Sequence, residues 1–204
     1  MNTKEQDSSA PFLSPWWGFL AIFSIGFPLF FLLRAPSVVL DHFGTIPRFT
    51  LTNQEGLNKT SEDYLGKTLI VNFIYTRCQD VCPGLTAKMS SFHKKNNQKD
   101  TQYISITVDP KYDQPKILYD YAESFSANHK KWDFLTAEQD QILFVVRGFQ
   151  QAYERYSTPS ENDTPPRILH SEKFILVDPQ GSIRGFFETT PEGLSELKTA
   201  LYSL

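Results

Sequence analysis

Positive charge is not in excess in this sequence: 20 Lys and Arg stand against 23 Asp and Glu, a formal net charge of −3. No polybasic patch interrupts that balance, so nothing in it points to a nucleic-acid partner. There is no internal repeat, and 204 residues are too few for two comfortable domains. A single core of about 150 residues with an appendage is expected. Cysteine is nearly absent, with one pair four positions apart at Cys78 and Cys82. Random placement would bring two cysteines so close in about one chain in twenty-five, so the spacing argues for a joint role over two incidental buried thiols. The remaining composition, 40% hydrophobic and 21% charged, is that of a globular protein.

Charge is missing altogether from residues 16–33, the run WWGFLAIFSIGFPLFFLL, which Arg34 ends. At about 1.5 Å per residue a helix of this length reaches about 27 Å, close to a hydrocarbon core of roughly 30 Å. Trp16 and Trp17 suit the interfacial aromatic belt, and Gly26 and Pro28 are tolerable in a membrane helix although both weaken a soluble one. A cleaved signal peptide is the competing reading. Its apolar region usually runs about 7–15 residues, and Arg34-Ala35-Pro36-Ser37 makes a poor cleavage site. The sequence therefore predicts a tail at 1–15, a transmembrane anchor at 16–33, a juxtamembrane linker at 34–47 and a folded domain at 48–204. Lys4 before the run, against Arg34 and Arg48 after it, is too slight a bias to orient it.

The rest alternates strand and helix patterns. A small hairpin is expected around the turn Asn53-Gln54-Glu55-Gly56, followed by one capped helical turn over 61–66. Residues 68–75 form a nearly continuous apolar, β-branched run, the pattern of a strand buried on both faces. The cysteines follow at once, and Val81, Leu85, Met89 and Phe92 then mark one face of a helix. A strand over 103–108 comes next. Asp113 as cap and Pro115 in the first turn then open a helix carrying Ile117, Leu118, Tyr121 and Phe125. A short strand over 132–135 precedes an amphipathic helix over 141–153, and an exposed, proline-rich loop spans 156–167. A hairpin turning at Asp178-Pro179-Gln180-Gly181 and a last helix with Leu194, Leu197 and Leu201 complete the chain. This β-α-β half followed by a β-β-α half predicts an α/β fold of the thioredoxin kind.

A cysteine pair at the start of a helix after a buried strand lies where backbone N–H groups and the helix dipole favour thiolate. Both sulfurs are thus expected to be more acidic than an ordinary cysteine. Thiolate serves dithiol exchange and metal ligation alike. Three residues, Gln79, Asp80 and Val81, separate the pair, where disulfide oxidoreductases usually have two. In a helix, positions i and i+4 share a face, so both sulfurs could meet one ion. Among the histidines, His93 lies eleven residues past Cys82 on the same helix, about 16 Å away. His42 follows the anchor, and His129 in a Lys-rich loop reads as solvated. His170 stands where the long loop meets a buried strand. From position alone it is either a ligand or a hydrogen-bonded histidine at a strand edge. Two thiolates with one imidazole are soft donors that suit copper, Cu(I) above all. Metal binding and disulfide formation at the pair exclude each other, so affinity would depend on redox state.

The run Asn72-Phe73-Ile74-Tyr75-Thr76-Arg77-Cys78-Gln79-Asp80-Val81-Cys82-Pro83, the later Thr107-Val108-Asp109-Pro110, and His170 ahead of Val177-Asp178-Pro179-Gln180-Gly181 together resemble the Sco/SenC family. The likeness runs in order from about residue 49 to the C-terminus. It implies a thioredoxin-like, membrane-anchored copper protein of cytochrome c oxidase assembly, with Cys78, Cys82 and His170 as copper ligands. It also implies a domain outside the cytoplasm, bacterial or in the mitochondrial intermembrane space, and as partners the oxidase subunit II and a copper donor. Asp109 matches an acidic position of the family and reads first as structural or partner-facing. The family's usual proline after the first cysteine is Gln79 here, which touches no ligand. Three functions follow: a copper chaperone, a thiol-disulfide reductase acting on the oxidase's copper-ligand cysteines, and a thiol peroxidase in which Thr76 and Arg77 would serve the reactive cysteine.

Overall fold

The computed structural model describes residues 40–79, 81–96, 100–151, 155–156, 167–168 and 172–204. The expected anchor at 16–33 lies outside them. No helix among the described residues is long and apolar enough to cross a membrane.

Seven strands form one sheet in the order β2-β1-β5-β4-β3-β8-β9. They are β1 (Thr50–Asn53), β2 (Asn58–Thr60), β3 (Thr68–Ile74), β4 (Thr101–Thr107), β5 (Trp132–Thr136), β8 (Lys173–Val177) and β9 (Ile183–Glu188). Two further short strands, β6 (Arg155–Tyr156) and β7 (Arg167–Ile168), pair antiparallel with each other. Strands β3, β4 and β5 run parallel, while β8 lies antiparallel to β3 and β1 antiparallel to β5. The helices are α1 (Val81–Lys95), α2 (Pro115–Ser124), α3 (Gln139–Gly148) and α4 (Pro191–Leu201). The β-α-β and β-β-α halves meet along β3 and β8, giving the thioredoxin-like arrangement.

Strand β3 shows why a continuous apolar run folds this way. Every one of its residues is buried, and alternate side chains feed two cores. Leu69, Val71 and Phe73 join the face that α3 covers with Ile142, Val145 and Val146. Ile70 and Ile74 join the opposite face, with Leu85 and Met89 of α1, Leu118 of α2 and Leu197 of α4. Asn72 is a polar exception within β3: its side-chain oxygen accepts from Ser105 Oγ at 2.7 Å, and Ser105 Oγ accepts from Trp132 Nε1 at 2.9 Å. The inward stripe of α1 is Cys82, Leu85, Met89 and Phe92; Val81 is only half-buried. The stripe therefore begins on a cysteine.

Helix α3 stops at Gly148, short of the expected 153. Gly148 lies so close to Pro47 that a Cβ there would come 2.5 Å from the proline ring. Gln150 then turns to φ 57°, which no helix continues. Residues 43–46, part of the stretch read as a linker, lie along β9. Phe43 N–H donates to Ile183 O at 2.9 Å, Ile183 N–H to Gly44 O at 2.8 Å, and Ile46 N–H to Gly181 O at 2.9 Å.

His93 is buried against Tyr103, with ring centroids 4.6 Å apart. Burial, and then the charges of Lys131 and Lys94, hold its pKa below the ordinary value. A histidine kept neutral by folding contributes stability that is fully present above the unfolded pKa of about 6.5, and that is lost as pH falls through the lower folded value. The melting temperature is thus expected to fall as pH is taken from about 7.5 down to about 5, and His93→Phe to flatten that fall. An unchanged pH profile in the variant would remove His93 as its source.

Candidate metal centre

The chain leaves β3 at its C-terminal end and turns at once into the cysteine loop. Val108 N–H donates to Ile74 O at 2.8 Å, so the parallel pairing of β3 with β4 continues to the last residue of β3. Cys78 N–H then donates to Tyr75 O at 3.3 Å, and Cys82 N–H points at Cys78 Sγ, 3.4 Å away. This places Cys78 in front of the first turn of α1 and Cys82 within it, with no disulfide between them. Both belong to the core, Cys82 with no exposed surface and Cys78 with 8%, whereas Gln79 between them is exposed. The loop thus turns Gln79 to solvent and keeps its sulfurs inside.

Burial changes the acidity expected of Cys82. It pushes the Cys82 thiol up from its ordinary value, more strongly than a hydrogen bond from the Tyr75 backbone lowers it. The helix N-terminus is present as the sequence predicts, but a charge in an apolar core forfeits more solvation than that dipole returns. Cys82 is therefore a thiol until something replaces its proton.

Two carboxylates from the loop after β4 hold the residues leading into Cys78. Asp109, almost fully buried, accepts from Arg77 Nε at 3.0 Å and Nη2 at 2.7 Å, and the Tyr112 ring lies 4.5 Å from the guanidinium. This is the structural role first read for Asp109. Asp113, expected as a helix cap, is not one: the N-cap position of α2 is Gln114, which makes no side-chain capping bond, and Asp113 turns inward to Thr76 and Thr107. Pro115 directs the reading toward a cap, because the same Asp-x-Pro pattern serves both. The sequence reading also missed the hydroxyls around the pair. Thr86 Oγ1 donates to Cys82 O at 2.9 Å and meets Tyr121 Oη at 2.9 Å, and the Tyr75 hydroxyl bonds to Cys78.

Of the histidines, His170 lies outside the described residues. His93 is enclosed with Tyr103 and Trp132, and His42 is exposed in the segment before β1. His129, expected to be solvated, is held between Gln54 Nε2 at 3.2 Å and Glu123 Oε1 at 2.6 Å. Among the described residues no three His, Cys, Asp or Glu side chains gather closely enough to hold a metal ion. The described part of the candidate site is thus two buried sulfurs of soft-donor character.

The family model described as SCO1/SenC matches residues 40–200. The chain belongs to the SCO1/SenC family. Over 161 residues it is 33% identical to the SCO1 protein homolog of Bacillus subtilis (strain 168), covering 74% of this chain and 80% of that protein. Its fold is similar to that of BsSco, described as a member of the Sco family of cytochrome c oxidase assembly proteins in which a disulfide switch was identified. That likeness has 30% identity and a TM-score of 0.65, covering 80% of this chain and 95% of that one. Copper-bound ScoI of Bradyrhizobium japonicum is similar at 25% identity and TM-score 0.65, over 76% of this chain and 98% of that one. The SCO1/SenC match begins at residue 40, just before the strip along β9.

Removing Arg77 leaves a buried carboxylate without its cation. Arg77→Gln is expected to lower the unfolding free energy by about 2 kcal/mol, below the ~3–5 kcal/mol of fully buried pairs because the arginine is partly exposed. Urea denaturation checks this, and a loss under about 0.5 kcal/mol would show the pair to be a surface contact.

Proposed function

We propose that this protein binds a copper ion at Cys78, Cys82 and His170 and delivers it during assembly of the copper centre of cytochrome c oxidase. The observation that carries the reading is the dithiol at one loop–helix junction, in a chain whose B. japonicum relative is copper-bound and whose BsSco relative is described as an oxidase assembly protein. Two cysteine sulfurs and an imidazole make a soft, low-coordinate set that favours Cu(I). Thiolate ligation requires proton release, and burial of Cys82 makes the bare site hold its proton until metal arrives. The cargo then passes by ligand exchange between the donor's thiolates, this pair, and the acceptor site of oxidase subunit II. In the same reading residues 16–33 anchor the chain by a single span, with the domain on the non-cytoplasmic side.

A second reading, a thiol-disulfide reductase for the oxidase's copper-ligand cysteines, draws on the disulfide switch described for BsSco. A thiol peroxidase is a third reading, in which Thr76 and Arg77, bonded to Asp113 and Asp109, would serve the reactive cysteine.

Titration of the soluble domain with Cu(I) under reducing conditions, against a competing chelator, tests the proposal. Wild type is expected to bind one ion tightly. Cys82→Ser should bind at least about 100-fold more weakly, since one ligand's share of the ~10–16 kcal/mol found for four-ligand structural zinc sites is about 2.5–4 kcal/mol. His170→Ala should weaken binding while sparing dithiol exchange. Equal affinity in all three ends the copper reading, and normal oxidase maturation with His170→Ala favours the reductase.

A further inference from the structure

Asp113 is the least expected group near the cysteines. It has no exposed surface, and among the described residues it forms no ion pair. Its carboxylate accepts three hydrogen bonds: from Thr76 N–H at 3.1 Å and Thr107 Oγ1 at 2.5 Å on Oδ2, and from Thr76 Oγ1 at 2.5 Å on Oδ1. A carboxylate can accept all three without presenting a donor of its own, whereas an Asn amide would turn an N–H toward one of these donors. A buried charge without a cation is a costly way to close a turn. The turn does not require it, because Tyr112 N–H and Asp113 N–H both donate to Asp109 O, and Gln114 Nε2 donates to Pro110 O. Nor does Asp113 cap helix α2, whose N-cap position is Gln114. What the carboxylate secures is Thr76, the second residue past β3 and the second before Cys78.

The direction of the restraint follows from the sheet. Thr107 ends β4 and pairs with Ile74 at the end of β3, so Asp113 ties the departing loop to the rigid strand beside it. Arg77, the next residue, is fastened to Asp109 of the same turn. The chain therefore reaches Cys78 with both preceding residues fixed, and Cys78 Sγ comes to rest against the Cys82 N–H in the dithiol form.

We propose that Asp113 is a positioning residue for the cysteine pair: through Thr76 it holds the loop in the dithiol arrangement that presents two separate sulfurs to a metal and resists their closure into a disulfide. This deepens the site reading of Cys78 and Cys82 and rests on it. The first test does not involve copper.

Equilibrate the soluble domain with glutathione buffers. As the S–S bond forms, Cys78 and Cys82 give up two protons and two electrons, and one glutathione disulfide takes them up to become two glutathione thiols. Asp113→Asn and the isosteric Thr76→Val are each expected to shift this equilibrium toward the disulfide by about tenfold, equivalent to ~30 mV. Thr76→Ser, which restores the hydroxyl, should stay near wild type. The double variant should shift no further than Asp113→Asn alone, as expected of two groups in one contact. If Asp113→Asn does not fold, Thr76→Val carries the test alone, because Thr76 is only half-buried. Variants that melt earlier but keep the wild-type glutathione equilibrium would overturn the proposal and leave Asp113 a fold residue. A Cu(I) titration of the same set separates the two ideas: a shifted equilibrium with no copper bound by wild type would sink the copper reading and leave the positioning role standing.

Discussion

Strand β3 has no free side. It pairs with β4 along its full length and with β8 on its other edge, and both of its faces are packed. A strand so enclosed cannot shift by one residue without reversing every side chain between two cores. Its end is therefore fixed, and with it the point from which the cysteine loop departs. Helix α1 follows for the same reason: its buried stripe must settle on Ile70 and Ile74, and the first member of that stripe is Cys82. The sulfur is in the core because the sheet requires the helix to be there.

Three of the four buried aspartates among the described residues show how differently such a core can accommodate charge. Asp109 has a guanidinium. Asp133, in β5, has Tyr64 Oη at 2.9 Å, Asn53 Nδ2 at 3.3 Å and Lys59 Nζ at 3.8 Å. Asp113 has hydroxyls and one amide N–H, and burial raises its pKa above the ordinary range despite them. Two of the three converge on the residues before Cys78. The local cost is concentrated where the loop must not wander, the usual distribution of strain and buried polarity around a working site.

The strand and helix order was legible because each element carries its own period. β3 reads as buried on both faces from its unbroken apolar run, and the hairpin of β8 and β9 from its Asp-Pro-Gln-Gly turn. What escaped were matters of tertiary contact. Nothing local tells whether Asp113 caps a helix or turns inward, since the choice depends on Thr76 and Thr107 meeting it in space. The end of α3 packs against Pro47, about a hundred residues earlier in the chain, and the helix is broken where Gln150 turns to positive φ. The acidity expected at Cys82 considered the dipole of α1 alone; desolvation, which reverses its sign, is a property of the packed core. The cysteine half of the site was plain from spacing. His170 came from the family resemblance and from its place in the chain, and it lies outside the described residues.

The strip at 43–46 has a practical reach. By hydrogen-bonding to β9 near Ile183 it occupies part of an edge that would otherwise display unpaired N–H and C=O groups to any passing strand. A soluble fragment begun at Arg48, where the folded domain was first read to start, would uncover that edge and the Phe43–Phe186 ring contact together. Two such fragments could then zip edge to edge and give a dimer of the laboratory's own making, whereas one begun near Leu40 keeps its selvedge.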